Sequence, residues 1–155
     1  MSSSADLSAK RLGERAEAAV IEAVDALDPV SDSDAEHYDA VPSTAVFPSD
    51  SVRMVGIAVV EAGIPIEVKT TVPRLSTGCR GRFYLRRKQH RRLSEDGGCY
   101  LLAVTTPHER EPLAMVLVAA RTLDDVIPSW IDGKHRADYA QIAWSRVFSE
   151  EEVNR

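Results

Sequence analysis

The sequence predicts a mixed α/β (α+β) domain of three layers, a central mixed sheet flanked by helices. Two observations lead there. Segments with helical and strand periodicity follow one another in the order helix, strands, helix, strands. The 155 residues, 44% apolar and 28% charged, suit one water-facing domain with a real core. Residues 7–148 are expected to form this single domain, with flexible tails at 1–6 and 149–155.

From about Leu7 to Leu27, the apolar residues Leu12, Ala16, Ala19, Val20, Ala23, Val24 and Leu27 recur at helical spacing and form one stripe. Gly13 lies inside it and Glu17 at its border, whereas Glu14 and Glu22 fall well away. Residues 28–50 are acidic and hold three prolines, so they predict loops, with "HYDAV" as a short strand. Next, "VRMVGIAVV" (52–60) and "IPIEVKTT" (64–71) flank "EAG", a pattern that predicts a β-hairpin.

In the second of these strands Ile64, Ile66, Val68 and Thr70 point one way, while Glu67 and Lys69 point the other. A carboxylate and an ammonium two residues apart on one strand face have two readings. They are surface residues of an edge strand, or they form a catalytic pair, one for a metal ion and one for a phosphate.

"FYLRRKQHRRLSED" begins extended and becomes a helix ending at Gly97-Gly98. "CYLLAVTT" (99–106) and "LAMVLVAA" (113–120) predict buried strands. "TLDDVIPSWID" offers a capping box from Thr122 to Asp125 and is broken at Pro128. "YAQIAWSRVF" (139–148) fits either a last strand or a helix.

The formal net charge of −5 argues against nucleic acid only on average. Between Pro73 and Leu93 stand Arg74, Arg80, Arg82, Arg86, Arg87, Lys88, Arg91 and Arg92, and no acid. These are eight of the chain's nineteen Lys and Arg residues. Like charges at that density repel unless a polyanion neutralises them, as a phosphate backbone does with release of counterions. A merely basic surface is the alternative. Leu85, Gln89 and Leu93 are spaced i, i+4, i+8, which puts Gln89 on the apolar side of the helix, where its amide needs a partner.

Cys79 and Cys99 show neither metal-ligand spacing nor a disulfide framework, so a reducing, cytoplasmic location is expected. No apolar run reaches the length of a signal segment or a membrane span, and no membrane association is expected. The histidines at 37, 90, 108 and 135 form no ligand pattern and suggest surface roles, with His37 near enough to Asp39 to assist a metal. Trp130 and Trp144 suggest core or dimer contacts rather than base-stacking platforms.

With these pieces in order, the chain resembles the restriction-endonuclease-like nuclease superfamily, known by its PD-(D/E)xK motif, and among its members the archaeal Holliday-junction resolvases. "IEVK" (66–69) matches the E-x-K half of the motif on a strand. "AEAAVIEAV" from Ala16 is similar to the resolvases' first helix, where an acid after alanine completes the metal site, and singles out Glu17. "QHRRL" is similar to the family's glutamine-bearing helix and points to Gln89, and "CYLLAVT" to the strand that follows. The likeness covers about residues 10–106.

The resemblance implies a restriction-endonuclease-like three-layer core and a Mg²⁺- (or Mn²⁺-) dependent DNA endonuclease that is structure-selective or junction-resolving and works as a homodimer in the cytoplasm. It also implies the roles. Asp39, Glu67 and the Val68 carbonyl would hold the metal, completed by Glu17; Lys69, Glu67 and Gln89 would be catalytic; the arginine-rich segment would bind DNA. The pattern is broken at the second motif acid. A tight hairpin would put Ile57 opposite Glu67, and Ile57 cannot bind metal. Asp50 would then lie about 20 Å away along the strand, whereas Asp39 of "YDAV" looks like the family's Asp-x-Val. The resemblance thus points to Asp39, with Asp50 the alternative if the two strands are not tightly paired. The same break supports a second reading, a nuclease-fold DNA-binding or regulatory protein without catalysis.

Overall fold

The computed structural model describes residues 16–31, 38–134 and 137–154. Helix α1 is helical over residues 16–22 of the described chain. It is followed by β1 (Leu27–Pro29), β2 (Ala40–Pro42), β3 (Val52–Val55), β4 (Ile66–Thr71), β5 (Arg82–Arg86), α2 (Arg87–Glu95), β6 (Cys99–Thr105), β7 (Pro112–Ala119), α3 (Ala120–Leu123), β8 (Tyr139–Ala143) and α4 (Glu150–Val153). Six strands form one mixed sheet in the order β1-β2-β4-β6-β7-β3, and β5 pairs with β8 in a separate two-stranded ribbon. The outcome is the expected mixed α/β architecture, a central sheet flanked by helices.

The sheet separates two cores. On one face Val20 and Ile21 of α1, with Val24 in the turn that ends this helix short of the expected Leu27, pack with Ile66, Val68, Leu101 and Leu117. On the other, Leu93 of α2 and Phe83, Leu85 and Ile142 of the ribbon pack with Tyr100, Leu102, Val116 and Val118. β6 is covered on both sides, which is why "CYLLAVT" is apolar without alternation and all seven residues are buried. Burial pushes the Cys99 thiol up to about 11, so it acts as a small core hydrophobe.

The expected hairpin of 52–60 with 64–71 does not form. β4 has both edges occupied, by β2 antiparallel on one side and β6 parallel on the other. β3 instead pairs parallel with β7 at the far edge of the sheet, from Val52↔Met115 to Val55↔Val118. Its strand ends at Gly56, whose φ of +72° turns the chain away from the extended region. Residues 7–15 of the expected first helix, with Gly13, and the expected tail at 1–6 lie outside the described residues.

The expected tail at 149–155 is also corrected. Ser149 accepts from the Glu152 N–H, and the Glu152 side chain accepts from the Ser149 N–H, a reciprocal capping box that starts α4. Val153 is buried, which anchors the helix to the core. "SEEE" carries that signal openly in the sequence. The ambiguous "YAQIAWSRVF" resolves into β8 followed by a single 3₁₀ turn at Trp144–Arg146. Thr122 does not cap a helix, since α3 ends at Leu123.

The ribbon meets the main sheet at Gly81, just before β5. A Cβ there would lie 2.0 Å from the Val72 carbonyl oxygen and 2.3 Å from Thr71 Oγ1. Gly81→Ala is therefore expected to destabilise the fold by about 1–3 kcal/mol, the range for overpacked sites, measurable as a lower urea midpoint. An unchanged midpoint would mean the ribbon is free to shift away.

Candidate functional site

β4 raises the site from its polar face. Ile66 and Val68 are directed into the α1-side core, so the period-2 pleat turns Glu67 and Lys69 to the opposite face. Lys69 Nζ lies 3.2 Å from Glu67 Oε1 and donates to Gln89 Oε1 at 3.3 Å. Glu67 is only 4% exposed. The two groups are thus a largely desolvated pair in contact with α2, and the surface reading of this strand face falls away.

β2 supplies the neighbour. The Ala40↔Ile66 pairing is antiparallel, so one residue further along Asp39 stands across from Glu67. The strand partner of Glu67 is thus Asp39 and not Ile57. The Asp39 N–H donates to the Ile66 carbonyl at 2.8 Å, and Asp39 Oδ2 accepts from the Val68 N–H at 2.8 Å. These two bonds clamp the carboxylate at the start of β4. Asp39 also stands close enough to Glu67 to disfavour its charged form. Burial foremost pushes the Glu67 carboxyl up to about 8, with Asp39 adding to the rise and the Lys69 ammonium opposing it.

Glu17 on α1 is half-buried and lines two clefts. It shares one with Asp39, and the other, about 300 Å³ in volume, with Lys69, Thr70, Arg82, Tyr84, Arg86 and Gln89. Among the described residues no three His, Cys, Asp or Glu side chains come together closely enough to hold a metal ion. Glu17, Asp39 and Glu67 therefore do not form a closed three-acid cage. A buried carboxyl with a second acid across from it on the neighbouring chain segment nevertheless has the hard oxygen donors that a divalent cation takes. Magnesium commonly uses one or two carboxylates and fills its remaining positions with water and phosphate oxygens. Asp50 is excluded from this site, because it lines a separate cleft with Arg53 and Glu152. His37 lies outside the described residues.

The basic segment is divided between two elements, the strand β5 and the helix α2. In β5, Phe83 and Leu85 are buried while Arg82, Tyr84 and Arg86 are exposed, the alternation of a half-buried strand. Arg82 and Arg86 belong to the wall of the Lys69–Gln89 cleft. Arg87, Lys88 and Arg91 line another cleft beside Asp138. Arg80 is engaged with Glu150, Arg87 pairs with Asp138 at 3.4 Å, and Arg74 donates to the Gly78 carbonyl. Arg92 is exposed in the last turn of α2. Leu85 belongs to the strand, so the buried side of α2 is set by His90 and Leu93, with Gln89 beside it, half-buried.

His90 overturns the expectation of surface histidines. It is buried, with Nδ1 2.9 Å from the Tyr100 hydroxyl and Nε2 2.6 Å from Asp124 Oδ1. Sequence offered only a weak signal for it, the three-residue spacing to Leu93. Tyr100 is the strand partner of Glu67, so this chain of contacts ties α2 to the sheet directly behind the site. The Tyr100 hydroxyl is held well above its usual range, first by burial and then by the Glu67 and Asp124 carboxylates. His90→Leu is expected to cost about 1–3 kcal/mol, the penalty for an orphaned buried polar group. Adding Tyr100→Phe should recover part of it in a double-mutant unfolding cycle, whereas strictly additive losses would show the two side chains to be independent.

A mixed sheet carrying an E-x-K strand, an aspartate on the adjoining strand and a glutamine-bearing helix over the lysine defines a nuclease-type core. The chain belongs to the PD-(D/E)XK nuclease superfamily: the family model for the PD-(D/E)XK nuclease superfamily domain matches residues 3–149. No curated protein and no solved structure matches the chain. Proteins of this superfamily are generally nucleases. No helix among the described residues is long and apolar enough to cross a membrane.

Proposed function

We propose that the protein is a divalent-metal-dependent DNA endonuclease that acts on branched or otherwise distorted DNA. The observation that carries this reading is the placement of Asp39 across from Glu67 and Lys69. Asp39 and Glu67 would hold Mg²⁺ or Mn²⁺, with Val68 contributing its carbonyl and Glu17 acting from the cleft wall. The cation would polarise a phosphodiester and lower the pKa of its bound water. Lys69 stands where it can orient that water or offset charge at phosphorus. Gln89 accepts one of the ammonium's protons and so fixes its direction.

Arg82 and Arg86 on the cleft wall are placed to take the phosphates flanking the scissile bond, giving affinity without reading sequence. Lys88 and Arg91, at the second basic cleft, extend the track, and α2 brings no acid to its first turn to oppose it. Arg74, Arg80, Arg87 and Arg92 would add long-range attraction. Action as a homodimer on two-fold junctions, in the cytoplasm, belongs to the same proposal and rests on the likeness of α1 and the glutamine-bearing helix to the resolvases.

Incubation with supercoiled plasmid and with four-way-junction DNA, in Mg²⁺ and in EDTA, tests this. Metal-dependent nicking that disappears in Glu67→Ala is the expected result. Salt-sensitive binding without any cleavage would instead support a DNA-binding protein that keeps the fold but not the chemistry, and absence of both would remove the nucleic-acid reading altogether.

A further inference from the structure

The ribbon presents a feature that phosphate binding does not use. Tyr84 is 37% exposed, one of the few large apolar groups so open. Its ring stacks on Tyr139 with centroids 5.1 Å apart and planes 17° from parallel. The register places Tyr84 opposite Gln141 and Tyr139 opposite Arg86, so the two rings are diagonal neighbours on the ribbon's outer face. One ring face is therefore backed by Tyr139. Arg82 and Arg86 stand on either side of Tyr84 along the same strand face, and all three line the cleft that holds Lys69 and Gln89.

A solitary exposed tyrosine calls for no explanation, and a diagonal tyrosine pair is enough to stabilise a two-stranded ribbon. The combination is different. A backed aromatic ring, flanked by two cations and placed in the wall of a cleft that Lys69 also lines, has the composition of a nucleotide subsite. Arginines hold the backbone in such a site, and a ring takes the face of a base. In a paired duplex both faces of each base are covered by the stack, so a side chain can reach one only when the nucleotide is unpaired or extruded. The cleft's volume of about 300 Å³ lies at the low end for small-ligand sites, which suits a single nucleotide entering it rather than a helical stack.

We propose that Tyr84, backed by Tyr139, stacks on an unpaired base next to the cleaved phosphodiester, so that the substrate is DNA carrying a single-stranded or extruded nucleotide at that point. This rests on the nuclease reading above and adds to it the class of DNA selected.

The test uses the full chain carrying Glu67→Gln, so that bound DNA stays intact. Its affinity is measured by fluorescence anisotropy in EDTA for a single strand, a forked duplex and a blunt duplex that share one sequence. The expected result is tighter binding of the single strand and the fork than of the blunt duplex. Adding Tyr84→Ala should weaken binding of the first two by roughly 5- to 150-fold, the range for one lost base stack, and leave the blunt duplex nearly unchanged. Tyr84→Phe should keep the preference. Tyr84→Leu retains packing against Tyr139 without a ring face and serves in place of alanine should that variant fold poorly. Equal affinity for all three DNAs, or an equal loss on all three in Tyr84→Ala or Tyr84→Leu, would overturn the stacking role and leave the nuclease reading standing. No binding to any DNA by the parent would overturn both.

Discussion

Glu67→Gln is expected to make the protein more stable and inactive at once. The Glu67 carboxyl sits in a desolvated site where it is pushed up from an ordinary value of 4.5 to about 8. Between those two pH values the folded chain keeps a proton that the unfolded chain has released, so stability falls as pH rises. The advantage of the protonated form is fully present below about 4.5 and is lost as pH passes through 8. At about 1.36 kcal/mol per unit the loss is of the order of a few kcal/mol. Glutamine keeps the shape and never ionises. In metal-free buffer, wild type and Glu67→Gln should therefore unfold at similar urea concentrations near pH 4.5, and the variant should be the more resistant by pH 9. Parallel curves across this range would show that Glu67 is not desolvated as described. Cleavage should be lost in the variant at every pH, because a neutral amide holds a divalent cation far more weakly than a carboxylate.

The second large effect is expected at Lys69. Its ammonium is within 3.2 Å of Glu67 and 3.3 Å of Gln89, and both contacts aim it into the cleft. Lys69→Met retains most of the stem but removes the charge, and kcat for DNA cleavage should fall by about 10²–10³-fold, the scale for losing one group that stabilises developing charge. The substitution also removes both the charge and the hydrogen bond by which Lys69 lowers the Glu67 pKa. The pH at which activity rises should therefore move upward as well. Lys69→Arg should rescue poorly, since a planar guanidinium fills a different volume and directs its protons differently. A variant that retains full kcat with only a raised KM would reduce Lys69 to a binding residue.

The legible parts of the sequence were those encoded locally. The alternation in "IPIEVKTT" placed Glu67 and Lys69 together on one face, and the switch from strand to helix within "FYLRRKQHRRLSED" matches β5 and α2 closely. The capping box "SEEE" is equally local. Pairing between distant strands was not legible. "EAG" is a sound hairpin loop in isolation, but β4 satisfies both of its edges with strands from elsewhere in the chain, and no nearby residue announces this.

That single misplacement made Ile57 the apparent neighbour of Glu67 and left the second acid in doubt. The likeness of "YDAV" to the family's Asp-x-Val pointed to Asp39 without the register that puts it there. Likewise, basic residues that looked like one patch in sequence were divided between a strand face and a helix, because β5 alternates and α2 does not. The burial of His90 is not encoded locally, since its partners, Tyr100 and Asp124, come from separate elements.

The most direct measurement is a calorimetric titration of Mn²⁺ into the wild-type protein at neutral pH, repeated in buffers of different ionisation heat and with Asp39→Asn and Glu67→Gln. The expected outcome is saturable binding accompanied by proton release, as the cation displaces the proton that burial favours on Glu67, with binding abolished in either variant. Failure of the wild type to bind, or binding that survives both substitutions, would contradict a cation site at Asp39 and Glu67.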